Sequence, residues 1–188
     1  KLERIERSMD AEQCEFLAGE TLIKIKPRFT EGEVSLIAGD VGPFEAGIPA
    51  TVPLWLAVDL RRRHKCEIIP PDWLGVDALK VALVAEGEAA GLSALPEAFF
   101  ETAHLLARHA KEDMVDGDQV KTLVQDIWDK REAKLRTSIL AFLGQNTENH
   151  ARVDCVQMLE LATLRDPVLA ACQEIDRLVA NVHEVAEE

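Results

Sequence analysis

The run from Gln119 to Leu143 contains neither Gly nor Pro, and no other stretch limits the possible folds so strongly. It reads as one long helix. At about 100° per residue, Val120, Leu123, Val124, Ile127, Trp128, Leu135, Ile139 and Phe142 fall in a stripe about 160° wide, the width of a helix packed against several neighbours. Arg131, Lys134 and Ser138 project into the middle of that stripe. Cations on an apolar face are costly unless carboxylates or carbonyls meet them. Such a face is therefore expected to be unfinished until other proteins cover it, which makes it a candidate docking surface.

The chain has 188 residues, 47% of them hydrophobic, enough to bury a core in one domain or two small ones. Its formal charge of -13 is uneven. Lys1 to Cys66 carries 10 basic and 11 acidic residues, while Glu67 to Glu188 carries 11 and 23. The second half repels polyanions, so tight intrinsic binding of nucleic acid is not expected. Cys14, Cys66, Cys155 and Cys172 form no Cys-x-x-Cys pair and read as reduced thiols of an intracellular protein. The charged opening lacks the apolar core of a signal peptide, and no apolar run approaches the roughly 20 residues of a membrane span. Met9-Asp10 has the look of a native start, which would make residues 1 to 8 an added extension.

The order of patterns predicts an α+β fold, with a small β-rich domain at residues 1–68 and a larger α-helical bundle at 69–188. Asp10 to Ala18 suits a short amphipathic helix closed by Gly19. Thr21 to Pro27 alternates apolar and charged residues, and Val34 to Ile37, Ala50 to Val52 and Cys66 to Ile69 complete four expected strands. Gly39 to Pro49 reads as a turn-rich loop. Pro53 suits the first turn of a helix reaching His64, and Pro71 the start of another that fades near Glu86. Pro96 opens the next helix, as far as Ala110. Asp116 and Gln119 resemble a capping box for the long helix, and Asp166-Pro167 is expected to break or kink a last helical region, Ala151 to Val185.

Motifs for chemistry are weak throughout. The Gly39 to Gly47 loop lacks both the phosphate-loop ending and the Gly-x-Gly-x-x-Gly order. His104 and His109 lie five apart, outside any metal spacing, and Cys66 near His64 has no third orienting group. A small metal-dependent hydrolase using these residues is one alternative. Arg61-Arg62-Arg63-His64-Lys65 is the one basic cluster, and it reads as a solvated helix end, a contact for an acidic partner, or the phosphate contact of a small nucleic-acid-binding module. Trp55, Trp73 and Trp128 are expected as core anchors, with Trp128 also able to line an interface.

Three blocks together resemble a known family. Gly39-Asp-Val-Gly-Pro-Phe-Glu-Ala-Gly-Ile-Pro-Ala-Thr-Val-Pro-Leu-Trp-Leu-Ala57, then Lys65-Cys66 with Pro70-Pro71-Asp-Trp73, then Leu123-Val-Gln-Asp-Ile-Trp-Asp-Lys-Arg-Glu-Ala-Lys-Leu-Arg136 are similar in order and spacing to the Psf-two family of GINS complex subunits. The resemblance spans roughly Met9 to Val182. It departs at Gly75 to Leu95, which is Ala- and Gly-rich where the family is highly charged, and at Arg152 to Leu161. It implies a non-catalytic subunit, without cofactor or small-molecule substrate, assembled in the nucleus with three sister subunits. It further implies that this assembly joins the Mcm ring and a Cdc-type partner in the replicative helicase, for initiation and elongation of DNA replication. Trp128, Arg131, Lys134, Leu135 and Ser138, with Arg61, Arg62 and Arg63, are the expected partner-interface residues. On this reading Arg131 and Lys134 meet their acceptors either within the fold or across a subunit boundary.

Overall fold

A computed structural model of the chain describes residues 9–37, 39–144 and 154–186, with side chains from Phe142 to the end of its helix, at Asp176 and from Val179 onward left aside. The expectations for residues 1 to 8, for a helical start at Ala151, and for the Phe142, Val179 and Val182 side chains lie outside that description. The β-rich part comes first and the helical part second, as the patterns required.

Asp10 caps the first helix, α1 (Ala11–Ala18), by accepting from Gln13 N at 2.8 Å. Gly19 ends it in a right-handed conformation, not the left-handed one expected of a helix-ending glycine. Its small size serves close approach: a Cβ there would stand 2.9 Å from the Phe16 carbonyl oxygen and 3.4 Å from Trp55 Cβ.

Alternation in β1 (Leu22–Pro27) turns Ile23, Ile25 and Pro27 inward and Leu22, Lys24 and Lys26 outward. β1 is the central strand, antiparallel to β4 (Ala50–Pro53) and β5 (Cys66–Ile69), with Ile23 opposite Val52 and Ile25 opposite Ile68. The segment read as pure loop contains a further strand: β2 (Val34–Leu36) pairs with β3 (Gly39–Val41) in a separate two-stranded hairpin. Gly42 follows with φ of +114°, and a Cβ there would lie 3.1 Å from the Gly32 carbonyl oxygen. Pro53 ends β4 and caps α2 (Leu54–Arg62) instead of entering its first turn.

The expected helix after Pro71 is divided. A 3-10 turn, Asp72–Leu74, ends at Gly75, and α3 (Val76–Glu88) begins there. α4 (Phe99–His109) starts three residues beyond Pro96, after Ala98 at φ of +50°. A second 3-10 turn, Lys111–Asp113, leads to α5 (Gly117–Gly144). Asp116, expected as its cap, has φ of +54° in place of the extended backbone that an N-cap uses. α6 (Met158–Ala186) starts later than expected, after a non-helical stretch at 154–157, and of the expected break or kink at Pro167 no break occurs. A proline removes one helical N–H donor, and here the remaining bonds carry the helix past it.

One apolar core links the two parts. It joins Ile25, Val52, Leu54 and Ile68 of the sheet region to Leu79, Phe99, Leu106, Val120 and Ile127 of the helices. Among the described residues no helix is long and apolar enough to cross a membrane.

Candidate interaction surface

α5 places Val120, Leu123 and Ile127 in the core. Trp128, half-buried, meets Phe100 edge-on at 4.9 Å, and Phe100 meets Phe99 at 5.1 Å. Trp73 is 4.8 Å from Phe99, so an aromatic ladder ties the 3-10 turn to α4 and α5. Trp55 differs from the other two: it is 43% exposed and is no core anchor.

One turn beyond Ile127, Arg131 is fully buried. Its Nε and Nη2 donate to the two oxygens of Glu160 at 2.6 and 2.9 Å. Nη1 donates to Glu86 Oε2 at 3.0 Å and to the Ser93 carbonyl at 2.9 Å, and Nη2 to the Cys155 carbonyl at 2.7 Å. A guanidinium has five N–H donors, and here each has an acceptor from the same chain. Of the two possibilities, acceptors within the fold or across a subunit boundary, Arg131 takes the first. Burial works to lower its pKa, but the Glu160 and Glu86 bonds outweigh burial and raise it.

Lys134 lies in the same stripe and is likewise met from within. Its ammonium donates to the Glu86 carbonyl, to Glu86 Oε1 at 2.9 Å, and to the carbonyls of Ala89 and Gly91 at 2.8 Å. These acceptors surround the C-terminal end of α3, where exposed carbonyls and the helix dipole favour a cation. Glu86 also accepts from the Ser93 N–H at 3.0 Å and from its hydroxyl. Burial acts to raise the Glu86 pKa, yet the bonds from Ser93, Lys134 and Arg131 hold it below the ordinary carboxylate range. Glu160, the third residue of α6, also accepts from Gln157 N at 2.8 Å, as the carboxylate of a capping box does. Two cations and two carboxylates thus neutralise one another under α3, α5 and α6.

The basic run divides. Arg61 is buried, with Nε 2.7 Å from Asp113 and Nη2 3.0 Å from Glu112. Asp113 also accepts from Ile68 N of β5 at 3.0 Å, so this cluster joins α2 and the sheet to the turn after α4. Arg61 is thereby unavailable as a surface contact. Arg62 and Arg63 are exposed, and Arg63 pairs with Asp59 at 3.0 Å. Cys66 is buried and its thiol donates to the Ala57 carbonyl. Burial, with Asp113 nearby, pushes the thiol pKa up to about 11, so it stays protonated at neutral pH and is a poor nucleophile. His104 stands 3.8 Å from Glu15 at an exposed position.

Beyond Lys134 the stripe on α5 opens. Leu135 and Ile139 are half-buried, and Leu140 is 70% exposed. With Trp128, Leu164, Pro167 and Val168 they line an apolar groove of about 380 Å³ between α5 and α6. Leu161, Ile175 and Leu178 extend exposed apolar surface along α6. Ser138 faces a different cleft, of about 640 Å³, whose walls include Gly91, Leu92 and Val156. Of the residues expected at an interface, Leu135 and Trp128 share the groove, Ser138 opens into its neighbour, and Arg131 lies sealed beneath. Sequence reasoning missed Glu86 and Ser93, because the stretch from Glu86 to Ser93 reads as a soft linker although Glu86 belongs to α3. It also passed over Glu160, although its place just after Gln157 at a helix start carried a signal.

Comparison with known proteins bears on this arrangement. Residues 10–69 match the family model of the PSF2 N-terminal domain, and residues 73–169 match that of the GINS complex protein helical bundle domain. The chain is 46% identical over 177 residues to a protein of Caenorhabditis elegans named probable DNA replication complex GINS protein PSF2, covering 94% of this chain and 98% of that one. It is 47% identical over 178 residues to the protein of that name from Brugia malayi, covering 95% and 94%. The human DNA replication complex GINS protein PSF2 is 38% identical over 175 residues, covering 93% and 94%.

Proposed function

Because the chain belongs to the PSF2 family of GINS proteins of DNA replication, we propose that it is a non-catalytic structural subunit of a heterotetrameric GINS complex. Its partners are three sister subunits. The assembly works in the nucleus, joined to the Mcm ring and a Cdc-type partner as the replicative helicase, and needs no cofactor or small-molecule substrate from this chain. Residues 69–188 build the tetramer, and residues 1–68 reach other helicase components.

The observation that carries this reading is the open apolar groove between α5 and α6. The buried charges of Arg131, Lys134, Glu86 and Glu160 are matched inside the chain, yet Leu140, Leu161 and Leu178 face solvent beside it. Large apolar faces of this kind are the mark of obligate interfaces. What the partners cover is thus the C-terminal half of the α5 stripe together with α6, and not the cations. The test is co-expression with three candidate sister subunits followed by size-exclusion chromatography with light scattering. The expected result is a single 1:1:1:1 species, with self-association of the chain when expressed alone. A stable, monodisperse monomer that ignores the other three would refute the proposal.

A further inference from the structure

A second exposed apolar face is lined by other residues, from α1, the end of β2, α2 and α4. Phe16 of α1 is 79% exposed, Trp55 of α2 is 43% exposed, and Ile37, just after β2, is fully exposed. The three line one open cleft of about 720 Å³, backed by Leu36, Val58 and Leu105. Three large side chains from three separate elements converging on one cleft differ from the scattered apolar residues of any surface. The cleft is braced from below, because Trp55 N donates to the Gly19 carbonyl at 3.0 Å, an approach that the missing side chain of Gly19 permits.

Its rim has one sign of charge. Glu12, Glu15 and Glu20 line the cleft, and among the described residues no Lys or Arg does. That charge decides among occupants. A second copy of this chain would set glutamates against glutamates across a self-complementary contact. An anionic lipid surface would be repelled in the same way. A segment with an apolar face flanked by Lys or Arg fits both the floor and the rim, since it fills the cleft and meets the carboxylates.

We propose that the cleft between α1, the β2 end and α2 docks a basic amphipathic segment of another protein, at a face separate from the α5–α6 groove. The probe is a fluorescein-labelled helical peptide of 16 residues with Leu along one face and Lys on both flanks, measured by fluorescence anisotropy against the full chain in its co-expressed assembly. Binding is expected to weaken as salt rises. The double variant Phe16→Ser/Ile37→Ser and the double variant Glu12→Lys/Glu20→Lys, all at exposed positions, are each expected to weaken it tenfold or more while leaving assembly intact. A peptide with Glu in place of Lys is expected not to bind. The proposal is overturned if both variants bind the Lys peptide as the parent chain does, or if the Glu peptide binds equally well. It is also overturned if Phe16→Ser/Ile37→Ser loses the sister subunits, which would make the face a subunit contact. Failure of the parent chain to assemble at all would instead refute the subunit reading, and peptide binding by the chain alone would still report on the cleft.

Discussion

Arg131 and Glu160, 29 residues apart in the chain, meet in a two-pronged ion pair of 2.6 and 2.9 Å with both side chains buried. The pair joins the middle of α5 to the first turn of α6. It therefore fixes where the second wall of the open groove stands.

Removing one member of such a cluster strands the others without water. Arg131→Ala is expected to destabilise the chain by about 3–5 kcal/mol, the usual result of breaking a buried pair. Arg131→Lys keeps the charge but offers three donors in place of five, and an intermediate loss is expected. Urea unfolding followed by circular dichroism measures both. Stability unchanged in Arg131→Ala would contradict the assignment of this arginine to the interior.

Glu86 makes the same cluster sensitive to acid. Its folded pKa lies below the ordinary value, so the folded state holds the proton more weakly than the unfolded chain does. Its contribution is then present above the ordinary Glu pKa and is lost as pH falls through the lowered folded value. Urea midpoints taken from pH 7 downward are expected to decline, and Glu86→Gln to decline less steeply from a lower start. Parallel profiles for the two proteins would contradict the linkage.

Glu101 has the opposite sign. It is buried on α4, its Oε2 has no hydrogen-bond partner among the described residues, and burial pushes its pKa up, with Glu160 and Glu15 adding to the shift. Its folded state favours the proton, so stability is greatest below the ordinary Glu pKa and declines as pH rises through the raised value. Glu101→Gln is expected to raise the melting temperature at pH 8 by more than at pH 4. Equal shifts at both pH values would show that charge is not the cause.

How far these features were legible in the sequence depends on the distance over which each is determined. β1 was legible because alternation is written into Leu22 to Pro27, and α5 because nothing interrupts its period. β3 was not: Gly39-Asp-Val41 is short, opens with a glycine at φ of +133°, and is a strand only through pairing with β2. The buried cations were legible as a problem, since the stripe on α5 enclosed them, but not as a solution. Glu86 lies 45 residues before Arg131 and Glu160 lies 29 after it, and only the packing of three helices brings them together. Arg61 was misread for the same reason, because its partner Asp113 is 52 residues away.

Arg61 and Asp113 supply a check on how the sheet is held to the helices. Arg61→Ala and Asp113→Ala are each expected to destabilise, and the double variant by less than their sum, with a coupling of about 0.5–3 kcal/mol as for residues in direct contact. Additive losses in a denaturation cycle would remove this pair as the joint.

The subunit reading turns most directly on Leu140, which belongs to the open groove and contributes little to the fold. Leu140→Asp puts a charge where a partner is expected, while surface substitutions usually move stability by no more than about 0.5 kcal/mol. Co-expressed with the sister subunits and passed through size-exclusion chromatography with light scattering, this variant is predicted to be folded, to melt close to the parent chain, and to elute apart from the other three. Recovery of the full complex at normal stoichiometry with Leu140→Asp in place would contradict the account.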